Sequence, residues 1–248
     1  MASSPFTCVL WDVDGTIADA SAGIFPRLRE VYASFGLPDP DPETLNQWIG
    51  PPMFASFQTI AGLEPAQAEE AVRRYRELAA RDGYAASVAI YPDVPEVIRA
   101  VQDAGVPQST ASTKPENQVR AILEHYDLID AFTAISGARA GVEGQNDGKA
   151  TVIAWALERL AAAGADVSRP VLVGDRHHDI DGAAEFGIPV IFVEWGFGDA
   201  SEGADAAHHV ATPAELLPLL LQLVSHTTTW IVIFIDFFSF CFQVEGIL

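Results

Sequence analysis

The 248-residue sequence is poor in cysteine, in lysine and in positive charge of any kind. Its two cysteines, Cys8 and Cys241, lie far apart and make no disulfide framework, so a reducing, cytoplasmic setting is expected. Fourteen basic residues stand against 34 acidic ones, a net charge of −20. Such a chain repels polyanions, which argues against a broad surface for a nucleic-acid polymer or for an anionic membrane. Any phosphate-bearing ligand must instead meet a small local cluster of positive charge. The opening MASSPFTCVLW has no basic segment followed by a long apolar run, so no secretory leader is expected. Lysine occurs only at Lys114 and Lys149, against twelve arginines. Two readings are open: chance, with Lys114 serving to solvate a helix end, or two positions that want a compact ammonium rather than a planar fork.

What is present is globular. Hydrophobic residues make up 49% and charged residues 19%, and the length suits one large domain or one domain with an insert. Phe6 to Trp11 reads as a buried strand running into Asp12-Val13-Asp14-Gly15-Thr16. Helical periodicity follows over Ile24–Phe35 and again from Pro65 to about Arg81, with Pro-rich turns between. From Tyr91 onward short apolar runs alternate with helices. Strands are expected at Val106–Ala111, Ala131–Ile135, Val171–Val173 and Ile188–Val193. Helices are expected at Pro92–Ala104, Glu116–His125, Lys149–Ala163, Ile180–Phe186 and Ala214–Val224. Repeated β-then-α segments predict an α/β fold, a Rossmann-like parallel sheet with helices on both faces. The last stretch departs from the rest: five of the 14 phenylalanines fall between 234 and 242, and Ala, Arg and Pro are absent there. It is shorter than the ~20 apolar residues of a membrane helix and Asp236 interrupts it, so no membrane anchor is expected. Residues 226–248 read as an atypical hydrophobic tail: an edge strand, an ill-ordered end, or a non-native extension.

Four clusters can carry chemistry. Asp12 and Asp14, two residues apart at a strand end, point to one side and suit cation binding, nucleophilic attack and proton transfer, with Gly15 permitting the turn and Thr16 following. As a local pattern the same cluster also reads as a turn. Asp175 and Asp179, in Gly174-Asp175-Arg176-His177-His178-Asp179, could complete an oxygen cage for a cation. A zinc site on His177, His178 and Asp179 is disfavoured, because adjacent His side chains of a helix are expected to point apart. Ser112-Thr113-Lys114-Pro115, after a strand and before a helix, reads either as a phosphate cradle or as an ordinary N-cap. Lys149 opens a helix, where a cation opposes the macrodipole, so its placement hints at function rather than stability.

Taken together and in this order, Asp12, Asp14, Ser112, Lys149, Asp175 and Asp179 resemble the four motifs of the haloacid dehalogenase-like hydrolase superfamily. The resemblance spans about Phe6 to Leu223. Gly50-Pro51-Pro52, Trp195-Gly196-Phe197-Gly198 and Lys149-Ala150-Thr151-Val152-Ile153 are similar to the phosphoglycolate-phosphatase-like and 5′-nucleotidase-like branch. The resemblance implies a core over residues 1–18 and 88–225 with a mobile helical cap over 19–87. It implies Asp12 as nucleophile forming an aspartyl-phosphate, and Asp14 as general acid and then base. Ser112, Thr113 and Lys149 would bind phosphate. Mg²⁺ would be held by Asp12, the Asp14 backbone carbonyl and Asp175, with Asp179, Gly15 and Thr16 supporting. The implied activity is phosphatase action on a small phosphorylated metabolite. The alternatives are a sugar phosphomutase of the same fold and a non-catalytic binding protein. Two departures stand out: the strand before Ser112 is unusually polar, and Ser112-Thr113 occupies the place where relatives carry Thr-Ser. Which ester is used and how many copies assemble are left open by the sequence.

Overall fold

The computed structural model describes residues 4–221, and the atypical tail lies outside them. Five parallel strands make the central sheet: β1 (Cys8–Trp11), β4 (Gln108–Thr110), β7 (Pro170–Gly174), β8 (Val190–Val193) and β9 (His208–Val210). Their spatial order is β4-β1-β7-β8-β9. In register, Trp11 stands beside Thr110 on one side and beside Val173 on the other. The carboxyl ends of β1 and β7 therefore lie side by side, and Asp12 continues the ladder by donating its N–H to the Val173 carbonyl at 2.9 Å.

Alternation along these strands sorts the side chains onto two faces. Val9, Trp11, Val171, Val173, Ile191 and Val193 pack with Val97, Ile98, Val119, Leu123, Leu216 and Leu220. These last come from α5 (Val94–Asp103), α6 (Glu116–His125) and α9 (Pro213–Leu220). Cys8, Leu10 and Leu172 face the other way, onto Val152, Ile153, Ala156 and Leu160 of α7 (Lys149–Ala162) and Ala183 of α8 (His177–Ala184). Burial on both faces is why β1 and β7 read as continuous apolar runs. Each fully buried aliphatic side chain is worth roughly 1.5–3 kcal/mol.

The polar strand β4 is buried throughout, and its polar groups are satisfied internally. Gln108 accepts from Trp11 Nε1 at 2.9 Å and donates to the carbonyls of Ile98 and Ala131. Thr110 donates to the Ser136 carbonyl and accepts from the Ser136 N–H, each at 2.9 Å. Its polarity is thus that of a cross-link between β4 and the segment after α6, not of a solvent face.

Between β1 and β4 the chain leaves the sheet through β2 (Ala18–Asp19) and returns through β3 (Ala89–Ile90), which pair antiparallel. The helices α1 (Ser21–Ser34), α2 (Pro42–Asn46), α3 (Met53–Thr59) and α4 (Pro65–Asp82) lie between them. They form a hydrophobic cluster of their own around Leu28, Leu45, Trp48, Phe57 and Val72. Trp48 sits edge-on to both Tyr32 and Phe57, with centroid distances of 5.8 and 4.6 Å.

Several expected elements differ. Ala131–Ile135 is not a strand. A short 3-10 turn covers Ile129–Ala131, only Ala134 bridges to Ser109, and the paired residues are Ser112–Pro115 (β5) with Gly137–Ala138 (β6). The hydroxyl-rich β4 accepts only that single bridge before Ser136 locks onto Thr110. Helix α8 starts at His177, three residues earlier than expected, because Asp179 Oδ2 accepts from Arg176 N–H and closes the first turn. Helix α9 matches the expected Ala214–Val224 helix as far as Leu220, and residues 222–224 lie outside the described chain.

Candidate active site

The site forms at the carboxyl edge of the sheet, where open parallel sheets leave a crevice for ligands. Asp12 directly follows β1 and Asp175 directly follows β7, while Asp179 lies in the first turn of α8 and Lys149 in that of α7. All four are buried. Lys149 Nζ lies 2.6 Å from Asp12 Oδ1 and 2.5 Å from Asp179 Oδ1, and donates to the Ala111 carbonyl at 2.9 Å. The helix-opening lysine is thus compensated by two carboxylates rather than by its own helix.

Asp179 also accepts through Oδ2 from the backbone N–H groups of Asp175 and Arg176, at 3.1 and 3.0 Å. Asp175 accepts through Oδ1 from Thr16 Oγ1 at 3.3 Å and through Oδ2 from Phe197 N–H at 2.8 Å. The room around Asp175 is set by glycine. Gly15 turns at φ +95°, and a Cβ there or on Gly196 would fall on the Asp175 carboxylate. The Trp195-Gly196-Phe197 stretch therefore supplies both a backbone donor and close approach.

Asp12, Asp175 and Asp179 each present a carboxylate oxygen within 4.8 Å of the others. Three buried carboxylates against one ammonium leave an excess of two negative charges, which is the charge a divalent cation neutralises. Burial pushes the Asp12 carboxyl up, Asp179 adds to the rise, and Lys149 pulls it back. Asp175 is held well above the ordinary carboxylate range, first by burial and then by Asp179 and Asp12. For Lys149, burial alone would lower the pKa, but Asp12 and Asp179 outweigh it and the ammonium is favoured. The donor set is all oxygen, which fits a hard cation such as Mg²⁺.

Asp14 points into the cleft beside this group. Lys114 Nζ holds Asp14 Oδ2 at 2.8 Å, while Asp14 Oδ1 is buried without a partner among the described residues. Burial raises the Asp14 pKa and Lys114 works against it. Ser112 is buried, accepts through Oγ from Lys114 N–H at 3.3 Å, and keeps its own hydroxyl hydrogen uncommitted among the described residues. Thr113 lines the cleft, but its hydroxyl donates to the Gly50 carbonyl of the insert at 2.7 Å. Arg176 reaches the insert too, donating to the carbonyls of Ile49 and Asn46 and pairing with Glu202 at 2.9 Å.

These contacts were not legible in the sequence. Nothing local couples Lys114 to Asp14 across 100 residues. The scarcity of lysine was the one signal that pointed there. The histidines call for a correction: His177 and His178 do not point apart, their ring centroids being 3.8 Å apart. Glu202 holds His177 Nδ1 at 2.7 Å, and the carboxylate grouped with both rings is that of the exposed Asp181, not Asp179.

A family model described as haloacid dehalogenase-like hydrolase matches residues 9–193. The tyrosine-protein kinase PtkA of Mycobacterium tuberculosis is 34% identical over 84% of this chain and 70% of its own length. A 5′-nucleotidase of Pseudomonas aeruginosa is 31% identical over 86% of this chain and 94% of its own. The solved structure of a predicted phosphatase from Clostridium acetobutylicum superposes with a TM-score of 0.78 at 28% identity, covering 86% of this chain and 96% of that one. Among the described residues no helix is long and apolar enough to cross a membrane.

Proposed function

The chain belongs to the haloacid dehalogenase-like hydrolase family, with phosphatases among its relatives, and from that premise we propose that it is a Mg²⁺-dependent phosphatase of small phosphate monoesters working through an aspartyl-phosphate. One observation carries the reading: a buried Asp12 braced by Lys149, beside two further buried carboxylates and a fourth acid with an unpartnered oxygen. Asp12, the Asp14 backbone carbonyl and Asp175 would hold the cation, with Asp179 behind them. Bound Mg²⁺ supplies neutralisation and orientation of the phosphoryl oxygens.

The chain's own groups account for the rest. Lys149 occupies Asp12 Oδ1, which leaves Oδ2 to attack phosphorus while the bond to the leaving oxygen breaks. Asp14 carries its proton on Oδ1, the oxygen that Lys114 does not hold, and delivers it to the leaving oxygen. Ser112 Oγ–H donates to a phosphoryl oxygen. In the second half Asp14 takes a proton from water, the water oxygen bonds to phosphorus, and the Asp12 carboxylate and inorganic phosphate are released. The insert, closed over the cleft by Thr113 and Arg176, acts as a cap that keeps bulk water out.

The test separates the two acids. Asp12→Asn abolishes turnover and takes no label. Asp14→Asn loses about 10²–10⁴-fold in rate and, with an activated ester, accumulates phosphate on Asp12, read by mass spectrometry of acid-quenched protein. Near wild-type hydrolysis by the Asp12→Asn protein overturns the mechanism. The likeness to a protein called a tyrosine kinase favours one second reading, transfer from the same Asp12 to a hydroxyl instead of water. Stoichiometric release of free phosphate from the ester excludes it.

A further inference from the structure

Outside the acidic cluster, the start of α8 gathers a second set of donors. His177, His178 and Asp181 each offer a ligand atom, and these atoms lie within 4.8 Å of one another. Helical spacing produces the grouping: Asp181 stands four residues from His177 and three from His178, so both imidazoles flank it. The two rings pack together with centroids 3.8 Å apart, which brings two nitrogen ligands to one place. Glu202, from a different part of the chain, prepares the first of them. Its Oε2 stands 2.7 Å from His177 Nδ1 and also accepts the His177 backbone N–H at 3.1 Å. An ionised carboxylate only accepts, so the ring carries its hydrogen on Nδ1 and leaves the Nε2 lone pair to ligate. A carboxylate behind an imidazole is the arrangement that orients ligating histidines in metal sites. Arg176 alongside is matched by the same Glu202 at 2.9 Å, so its charge is not set against a cation. The N-terminus of α8 disfavours a cation, and Asp181 and Glu202 offset it.

The donor set defines the ion. Asp12, Asp175 and Asp179 present oxygen alone, which suits Mg²⁺, whereas two imidazoles with one carboxylate suit a divalent transition ion. Three such ligands with water in the fourth position make a tetrahedral zinc set. With bonds of about 2.0–2.2 Å, the ligand atoms of that set stand about 3.5 Å apart. Asp181 is exposed and has no ion pair among the described residues, so its side chain can turn in to close the difference. We propose that His177, His178 and Asp181 form a second metal site, separate from the acidic cluster and selective for Zn²⁺-like ions over Mg²⁺. The His178 ring also lies against the insert, its Cδ2 3.7 Å from where a Cβ on Gly50 would fall. The ion is therefore held at the seam between the insert and the helical turn that carries Asp179. The assignment does not depend on the phosphatase reading.

The experiment titrates Zn²⁺ calorimetrically into the tag-free full chain in an excess of Mg²⁺. The proteins compared are wild type, His177→Gln, Asp181→Ala, Glu202→Gln and Asp175→Asn. Wild type is expected to take up one Zn²⁺ that the Mg²⁺ does not displace. His177→Gln and Asp181→Ala, which alter side chains that reach solvent, each weaken that binding at least tenfold. Glu202→Gln weakens it about 10- to 100-fold, the usual effect of losing the carboxylate behind a ligating histidine. Asp175→Asn disturbs the acidic cluster and leaves it unchanged. A Zn²⁺ affinity in His177→Gln within twofold of wild type overturns the proposal, and so does loss of the bound Zn²⁺ in Asp175→Asn with retention in His177→Gln. Electron paramagnetic resonance with Cu²⁺ as probe reads the ligands directly. Coupling to two imidazole nitrogens, falling to one in His177→Gln, supports the site. A Cu²⁺ spectrum without nitrogen coupling removes it.

Discussion

Lys149 and Asp12 touch each other, yet removing one should not resemble removing the other. Lys149 serves two buried carboxylates, at 2.6 and 2.5 Å, whereas Asp12 is one of two anions sharing a single ammonium. Lys149→Met leaves the buried Asp12 and Asp179 without the ammonium that both share. Losing one partner of a buried ion pair costs about 3–5 kcal/mol. For a protein of this size that corresponds to a fall in Tm of roughly 6–20 °C. Asp12→Asn leaves Lys149 paired with Asp179 and removes one of the crowded negative charges. The sign follows from linkage: a carboxyl whose folded pKa lies above its unfolded value is, once ionised at neutral pH, a cost to the folded state. The amide avoids that cost, so without metal Asp12→Asn should melt no lower than wild type. The assay is thermal unfolding by circular dichroism at pH 7.5 in EDTA and again with Mg²⁺. Added Mg²⁺ should recover part of the Lys149→Met loss, since it restores positive charge to the same cluster. If Asp12→Asn loses as much as Lys149→Met, or if Lys149→Met melts within 2 °C of wild type, the charge balance drawn for the site is wrong.

Two further perturbations probe the supports of the site. Arg176→Ala removes the guanidinium that ties Ile49 and Asn46 of the insert to the loop after β7; hydrogen exchange should quicken by tenfold or more across residues 46–54, and unchanged exchange would assign closure to other contacts. Gly196→Ala puts a methyl group on the Asp175 carboxylate; such overpacking costs about 1–3 kcal/mol, and the Mg²⁺ concentration for half-maximal activity should rise at least tenfold, a rise that an unaltered metal titration would refute.

The chemical motifs were legible in the sequence because each is local. An apolar strand ending in Asp-x-Asp-Gly, or in Gly-Asp, announces itself within six residues. Helices were legible where they are long: the expected Glu116–His125 helix coincides with α6, and Pro65 to Arg81 with α4 to within one residue. Helices α2 and α3, of five and seven residues, are too short to show periodicity. Strands β2, β3 and β6 have two residues each and exist only because a distant segment lies beside them. The polar β4 looked unlike an interior strand because its partners, Trp11 and Ser136, are far along the chain. The same reason hid the Lys114–Asp14 pair and the reach of Arg176 into the insert. A sequence displays what neighbours do to each other, and these contacts are made between strangers.

The paired exit and re-entry of the chain at β2 and β3 has an evolutionary consequence. Ala18 stands opposite Ile90 and Asp19 opposite Ala89, so the excursion between them begins and ends at one point of the scaffold. Whatever is spliced in there meets the same two anchor points. Loop closure grows only logarithmically with length, so doubling the excursion costs about 0.6 kcal/mol. The segment between them can thus be lengthened, shortened or exchanged as a cassette while Asp12, Lys149 and Asp175 keep their places. Recombining such cassettes on an unchanged sheet is a cheap route from one substrate to the next, and grafting residues 20–88 between relatives is the laboratory form of it.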